Sequence, residues 1–359
     1  MIKLNSPIKP DIKKLTNYLK TINDNGWYTN YGPLHNEFKD KLESYLGVKN
    51  LLLINNGTVA LQVAGRVLNA SNIITTPFSF AATSSAFASQ KDNLYFADVC
   101  SDTFNLNPYE VDKVIENVKD IDTIVATHVY GNSCNVELFN QIQQKNNVKL
   151  IYDAAHCFGV KVNNKSILQY GDASVLSFHA TKVFHSIEGG AIVFKSEDDY
   201  LSAREYINFG INPNLGTLNP MGVNGKMNEY QAAVGLVNLD VVDDYISRRS
   251  ELFSLYRYEL KDFVEMPIWH NNCSENGAYM PIKVKDQLQL NYLINGLKEK
   301  GIESRQYFTP SLDKIYHSSY NSELPISHQL ASSVLCLPLH GNMTCSDVEY
   351  VTENVKNLL

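Results

Sequence analysis

Leu51-Leu52-Leu53-Ile54-Asn55-Asn56-Gly57-Thr58, followed by a stretch of helical length over residues 59–68, decides the fold of this chain. Four consecutive apolar residues make a strand buried on both faces, and the polar turn after them leads straight into a helix. The same short apolar runs recur at 72–75, 94–96, 123–126, 149–152, 174–177 and 191–194, with helix-length stretches at 81–90, 109–118 and 136–145. That alternation predicts an α/β domain with a mostly parallel mixed sheet covered by helices. One long helix is expected over 228–256, weakened only at Gly235, and it links the large domain to a second unit. Beyond it come a strand at 279–284, a helix at 288–301, a loop rich in Tyr, Pro and Ser, and a closing helix at 346–358. We divide the chain into a large domain, 1–240 with its N-terminal segment, and a small C-terminal α/β domain, 241–359.

The 359 residues are 44% hydrophobic and 19% charged, a globular composition, and the formal charge of -7 supplies no field drawing the chain to nucleic acid or an anionic membrane. Any phosphate must be held by local geometry. No apolar run reaches the roughly 18 residues a membrane span needs, and residues 1–14 lack a signal-like core, so a cytoplasmic location is expected. The six cysteines form no CxxC pair or zinc-finger spacing, and no metal is expected. GxGxxG is absent after the first strand, and Gly225-Lys226 is followed by Met227, so neither dinucleotide nor P-loop chemistry is indicated.

Three features carry chemistry. At Gly57 and Thr58 a helix N-terminus with a glycine offers backbone N–H groups to a small phosphate, although a simple cap by Asn56 or Thr58 accounts for the same residues. Asp153 ends an apolar strand at the edge where α/β sheets place ligands, and it could equally cap the following turn. Lys182, in Ser177-Phe178-His179-Ala180-Thr181-Lys182, leaves another strand end, where partial desolvation would lower its pKa and make the amine nucleophilic; a surface lysine is the bland alternative. Together they match what pyridoxal 5'-phosphate requires: an amine for the aldehyde, a carboxylate for the ring nitrogen, and a phosphate cup. Phe78 or Phe80 could cover the ring, with core packing favoured for Phe78.

These residues resemble the DegT/DnrJ/EryC1/StrS sugar aminotransferases, fold type I of the pyridoxal phosphate enzymes. The matching stretches are residues 26–33, 56–61, 76–83, 153–156, 177–182 with 188–190, and 224–233. The resemblance implies that Lys182 binds the cofactor aldehyde and shuttles protons, that Asp153 pairs with the pyridine nitrogen, and that His156 lies near the ring hydroxyl. It places Phe80 over the ring and Gly57, Thr58 and Ser177 on the phosphate. Asn224 stands where the family reaches the phosphate of the neighbouring subunit, which implies a homodimer with shared sites. Asn56 replaces a common serine, and Ile187 stands where glycine often precedes Glu-Gly-Gly.

The implied reaction moves the amino group of L-glutamate to a nucleotide-linked keto-deoxysugar. The acceptor implied is dTDP-4-keto-6-deoxyglucose, aminated at C4 to dTDP-4-amino-4,6-dideoxyglucose for O-antigen or a related glycan. Amination at C3 of a dTDP-3-keto-6-deoxyhexose uses similar motifs. A non-catalytic binding protein on the same fold and a lyase or decarboxylase are the other readings; retention of Lys182, where dehydratase relatives carry histidine, favours transamination. Sugar contacts are expected among Tyr31, His185, Glu188, Tyr307 and His340, and Arg305 is a candidate for the glutamate carboxylate.

Overall fold

A computed structural model describes residues 1–212, 215–318 and 320–359. Helices α1 (Ile12–Asn25) and α2 (Pro33–Leu46) precede β1 (Leu51–Ile54), α3 (Gly57–Val67), β2 (Asn72–Thr75), α4 (Ala81–Ala88) and β3 (Asn93–Phe96). Then follow α5 (Pro108–Asn117), β4 (Thr123–Thr127), α6 (Val136–Asn146), β5 (Lys149–Asp153), β6 (Ala173–Ser177), β7 (Gly190–Phe194) and α7 (Glu197–Tyr206). The seven strands form one sheet in the order β1-β7-β6-β5-β4-β2-β3. Neighbours from β6 through β3 are parallel, whereas β7 runs antiparallel to both β1 and β6.

Alternate residues of each strand enter different cores. Leu51 and Leu53 of β1, with Leu150 and Tyr152 of β5, pack in one layer with Phe38 of α2 and Phe139 of α6. Leu52, Ile54 and Ile151 point the other way, against Leu61 and Ala64 of α3 and Phe87 of α4. The sheet is thus covered on both faces, as its unbroken apolar strands require.

The expected long helix is two: α8 (Glu229–Leu239) and α9 (Val242–Leu260). The chain turns at Val241, whose φ of -122° and ψ of 2° leave the helical range, whereas Gly235 lies inside α8. Its missing side chain makes room for Phe38, whose ring would lie 2.4 Å from a Cβ there. Val242 still belongs to the core under the large sheet, and Leu252 through Leu260 join a third core with β8 (Met280–Lys283), α10 (Gln287–Glu299), β9 (Val334–Leu337) and α12 (Cys345–Leu358). Helix α11 (Pro325–Ser333) leads into β9, which pairs antiparallel with β8. The start of the chain reaches this unit too: the Ile2 N–H donates to the Gly301 carbonyl at 2.8 Å.

Candidate active site

The C-terminal ends of β1, β4, β5 and β6 open onto a cavity of about 740 Å³, closed on the far side by Tyr279, Arg305, Tyr307 and Phe308 of the C-terminal unit. This is the sheet edge at which α/β folds place ligands.

Its cup lies at the start of α3. Asn56 is the N-cap, its side-chain oxygen accepting the Val59 N–H at 2.9 Å, so the departure from serine keeps a good cap. The first-turn N–H groups have no acceptor within the helix and attract an anion. Gly57 lies against β6: a Cβ on it would sit 3.0 Å from Ser177 Cβ, which brings Gly57, Thr58 and Ser177 into one wall.

Asp153 ends β5, buried. Its Oδ2 accepts the Thr83 hydroxyl at 2.7 Å and its Oδ1 the Ala155 N–H at 3.2 Å. Ser79 lies behind Thr83 at 2.7 Å and bonds Thr127 at 3.2 Å, so a hydroxyl chain on α4 and β4 orients the carboxylate. Burial pushes the Asp153 carboxyl above its ordinary value, opposed by Thr83, Ala155 and the charge of Lys182.

Lys182 lies half-buried in the loop between β6 and β7, which Phe178 and Phe184 anchor in the core. The loop is closed by Phe178 N–H to the Gly189 carbonyl at 2.8 Å and Ser186 N–H to the Phe178 carbonyl at 3.0 Å. Ile187 sits in this loop at φ 70°, the left-handed region where a glycine carries no Cβ penalty. Burial pushes the Lys182 ammonium below its ordinary pKa, against the opposing pull of Asp153. His156 faces the same cavity, and burial holds its pKa well below the usual range, helped by Lys182 and His128.

Of the remaining residues singled out from sequence, Phe80, Glu188, Tyr307 and Arg305 line the cavity. Phe80 is 55% exposed there, while Phe78 is fully buried among Phe104, Tyr130 and Phe308, as its core reading anticipated. Four are placed elsewhere. Tyr31 lines a separate cleft with His35 and Arg204, its hydroxyl donating to the Arg204 carbonyl at 3.2 Å. His185 is buried, one ring nitrogen bonded to the Ile8 carbonyl at 2.9 Å and the other accepting the Ile187 N–H at 3.2 Å, so it supports the lysine loop and does not face the cavity. Asn224 is exposed and bridges Asn208, and His340 is buried outside the cavity lining.

Sequence reasoning passed over His179 and Tyr279, which also line the cavity. The Thr181 N–H donates to His179 Nδ1 at 3.2 Å, leaving Nε2 3.6 Å from a Glu188 carboxylate oxygen. His179 was legible as the polar residue three before the lysine; Tyr279 carries no local signal, because only the fold brings its segment to the sheet edge.

No helix among the described residues is long and apolar enough to cross a membrane, and no cluster of His, Cys, Asp and Glu there could hold a metal. Comparison with known proteins covers nearly the whole chain. A transaminase of Shigella dysenteriae named for dTDP-4-amino-4,6-dideoxy-D-glucose is 36% identical over 361 residues, covering 98% of this chain and 97% of its own. A relative of the same name from Escherichia coli is 34% identical, with 98% and 97% covered. The crystal structure of DesI in the presence of its TDP-sugar product superposes with a TM-score of 0.93 at 28% identity, over 99% of this chain and 92% of that one. The profile of one family matches residues 10–356, and on these grounds the chain belongs to the DegT/DnrJ/EryC1/StrS aminotransferase family.

Proposed function

We propose that this chain is a pyridoxal phosphate-dependent transaminase that moves the amino group of L-glutamate to C4 of dTDP-4-keto-6-deoxyglucose, giving dTDP-4-amino-4,6-dideoxyglucose. The observation that carries the reading is the cavity itself, which joins an amine, a buried carboxylate and a helix-terminus cup. The residues fit the cofactor. Asp153 accepts from two groups and, when ionised, has lone pairs left for a ring N–H. Gly57, Thr58 and Ser177 would hold the phosphate, Phe80 would cover the ring, and His156 would face its hydroxyl. The dTDP-sugar is favoured by the names of the relatives at 34% and 36% identity.

When bound, the cofactor would supply an electron sink for charge developing at the substrate carbon. The chain's own share is proton handling and placement. Lys182 Nζ, held toward the neutral amine by burial, would carry the proton off the glutamate α-carbon in the first half-reaction and deliver one to C4 of the sugar in the second. Asp153, oriented by Thr83 and Ala155, holds the ring side of the site in register. Arg305 offers a guanidinium to an anionic substrate group, and Glu188 and Tyr307 are placed to meet sugar hydroxyls.

We place the enzyme in the cytoplasm, as a homodimer whose sites are shared, making an amino sugar for O-antigen or a related glycan. Asn224 lies outside its own cavity, and Phe209, Leu215, Leu218 and Met221 expose apolar surface on the same stretch; both support a partner subunit there. Sedimentation should give twice the 40.4 kDa chain mass. For the reaction, protein loaded with pyridoxal phosphate is reduced with borohydride and the labelled peptide mapped, and glutamate is then supplied with the 4-keto or the 3-keto sugar. Lys182 should carry the label and NMR should find nitrogen at C4. Nitrogen at C3, or a label elsewhere, overturns the assignment.

A further inference from the structure

Tyr130 is fully buried in the turn after β4 and has φ 60°. A bulky residue in the left-handed region is an outlier, and such strain persists only where its surroundings over-determine it, often beside a functional site. Two of its polar groups reach two different walls of the cavity. The backbone N–H donates to His156 Nδ1 at 3.2 Å, and the hydroxyl donates to the carbonyl of Tyr307. Its ring lies parallel to Phe308, 5.8 Å away with 9° between planes, and Phe308 lies parallel to His156 at 6.0 Å and 3°. The following Gly131 presses the turn onto the same segment: a Cβ there would lie 2.9 Å from Asn276 Oδ1 and 3.2 Å from the His156 carbonyl.

A ring nitrogen that accepts a backbone N–H carries no proton, so neutral His156 must carry its proton on Nε2. We propose that Tyr130 is a positioning residue that presets the cavity from both sides: its N–H fixes His156 as an Nε2–H donor, and its hydroxyl clasps the Arg305–Tyr307 wall to the edge of the large sheet. The effect on turnover rests on the transaminase reading above, whereas the clasp and the tautomer do not.

The test uses Tyr130→Phe, which removes only the hydroxyl. In cofactor-free protein labelled with nitrogen-15 histidine, resonances assigned by their loss in His156→Gln should show a bare Nδ1 and a protonated Nε2 at neutral pH, in wild type and Tyr130→Phe alike. Limited trypsin digestion should cut after Arg305 several-fold faster in Tyr130→Phe. In the loaded enzyme, KM for the keto sugar should rise about tenfold with kcat within twofold, the pattern of lost binding geometry. A proton on His156 Nδ1, unchanged cleavage after Arg305, or a variant that only melts earlier with KM unmoved overturns the proposal. A wild type inert toward every keto sugar, with the tautomer and cleavage results as stated, would instead sink the transaminase reading and leave the clasp standing.

Discussion

Lys182 can act as a base only if its amine is neutral at working pH, and the site supplies two opposed influences: burial, which lowers its pKa, and Asp153, which raises it. In cofactor-free protein, labelling of Lys182 by an amine-reactive reagent should therefore rise with pH along a limb centred below the ordinary lysine value. Asp153→Asn removes the opposing charge and should move the limb lower still; a limb at the ordinary position, or a shift upward, contradicts this electrostatic account. Lys182→Ala should remain folded by circular dichroism, yet its half-reaction with glutamate should slow by at least about 10³-fold, as the proton carrier and nucleophile are both lost. Full turnover in that variant would remove Lys182 from the mechanism. Both residues were legible in sequence because Asp153 closes an apolar strand and Lys182 follows another by five residues, and strand ends share one edge of a parallel sheet. Thr83 was not, since a threonine in the first turn of α4 announces nothing until β5 is placed beside it. Tyr31 and His185 show the converse: both lie in motifs of the right kind, yet their own hydrogen bonds turn them elsewhere.

Helix α8 shows what an element contributes to a site it never enters. At its first residue Glu229, buried, accepts the Leu34 N–H at 2.9 Å and the His35 N–H at 2.7 Å, capping α2 with a carboxylate. At its third, Gln231 closes a capping box with Asn228 and donates to the Glu188 carbonyl at 2.8 Å, tying the helix to the cavity rim. Glu229→Ala strands two buried donors and should cost roughly 2 kcal/mol or more in urea unfolding. A loss of only a few tenths would show that water caps α2 equally well. Gly235→Ala would force a Cβ into the Phe38 ring and should cost about 1–3 kcal/mol, although alanine is the better helix former. Periodicity found the helix but misplaced its weakness, because a glycine break and a glycine contact look identical in sequence. The true turn, at Asp240 and Val241, contains no glycine or proline, and the apolar spacing carries on through it. The run Val334-Leu335-Cys336-Leu337 was not singled out as a strand, since its partner β8 lies some fifty residues earlier and neither strand is marked by a hairpin turn.

Across the whole molecule the large sheet was legible because its strands are apolar on both faces, while the way the C-terminal unit closes over it was not: that closure depends on contacts between distant segments. One global property follows from what the closed interior holds. His35, His128, His156, His185 and His340 are buried, and burial lowers the pKa of His35 to about 4, that of His128 to about 3, that of His156 well below the usual range, and those of His185 and His340 in the same direction. The unfolded chain protonates these rings near the ordinary value of 6.5, so as the pH falls below about 6.5 it binds protons that the folded state refuses. Their contribution to stability is complete above about pH 6.5 and declines as pH falls, by roughly 1.4 kcal/mol per unit for each ring. Urea unfolding of the cofactor-free protein should weaken steadily from pH 6.5 to 5, with a slope of about 4 kcal/mol per unit or more as His185 and His340 add to the other three rings. His128→Asn, which removes one ring yet can still accept the Cys134 N–H that His128 Nδ1 holds at 3.0 Å, should reduce that slope by roughly 1.4 kcal/mol per unit. A flat profile, or a slope untouched by the substitution, would mean that these histidines find protons without unfolding and that the interior is less closed than the structure shows.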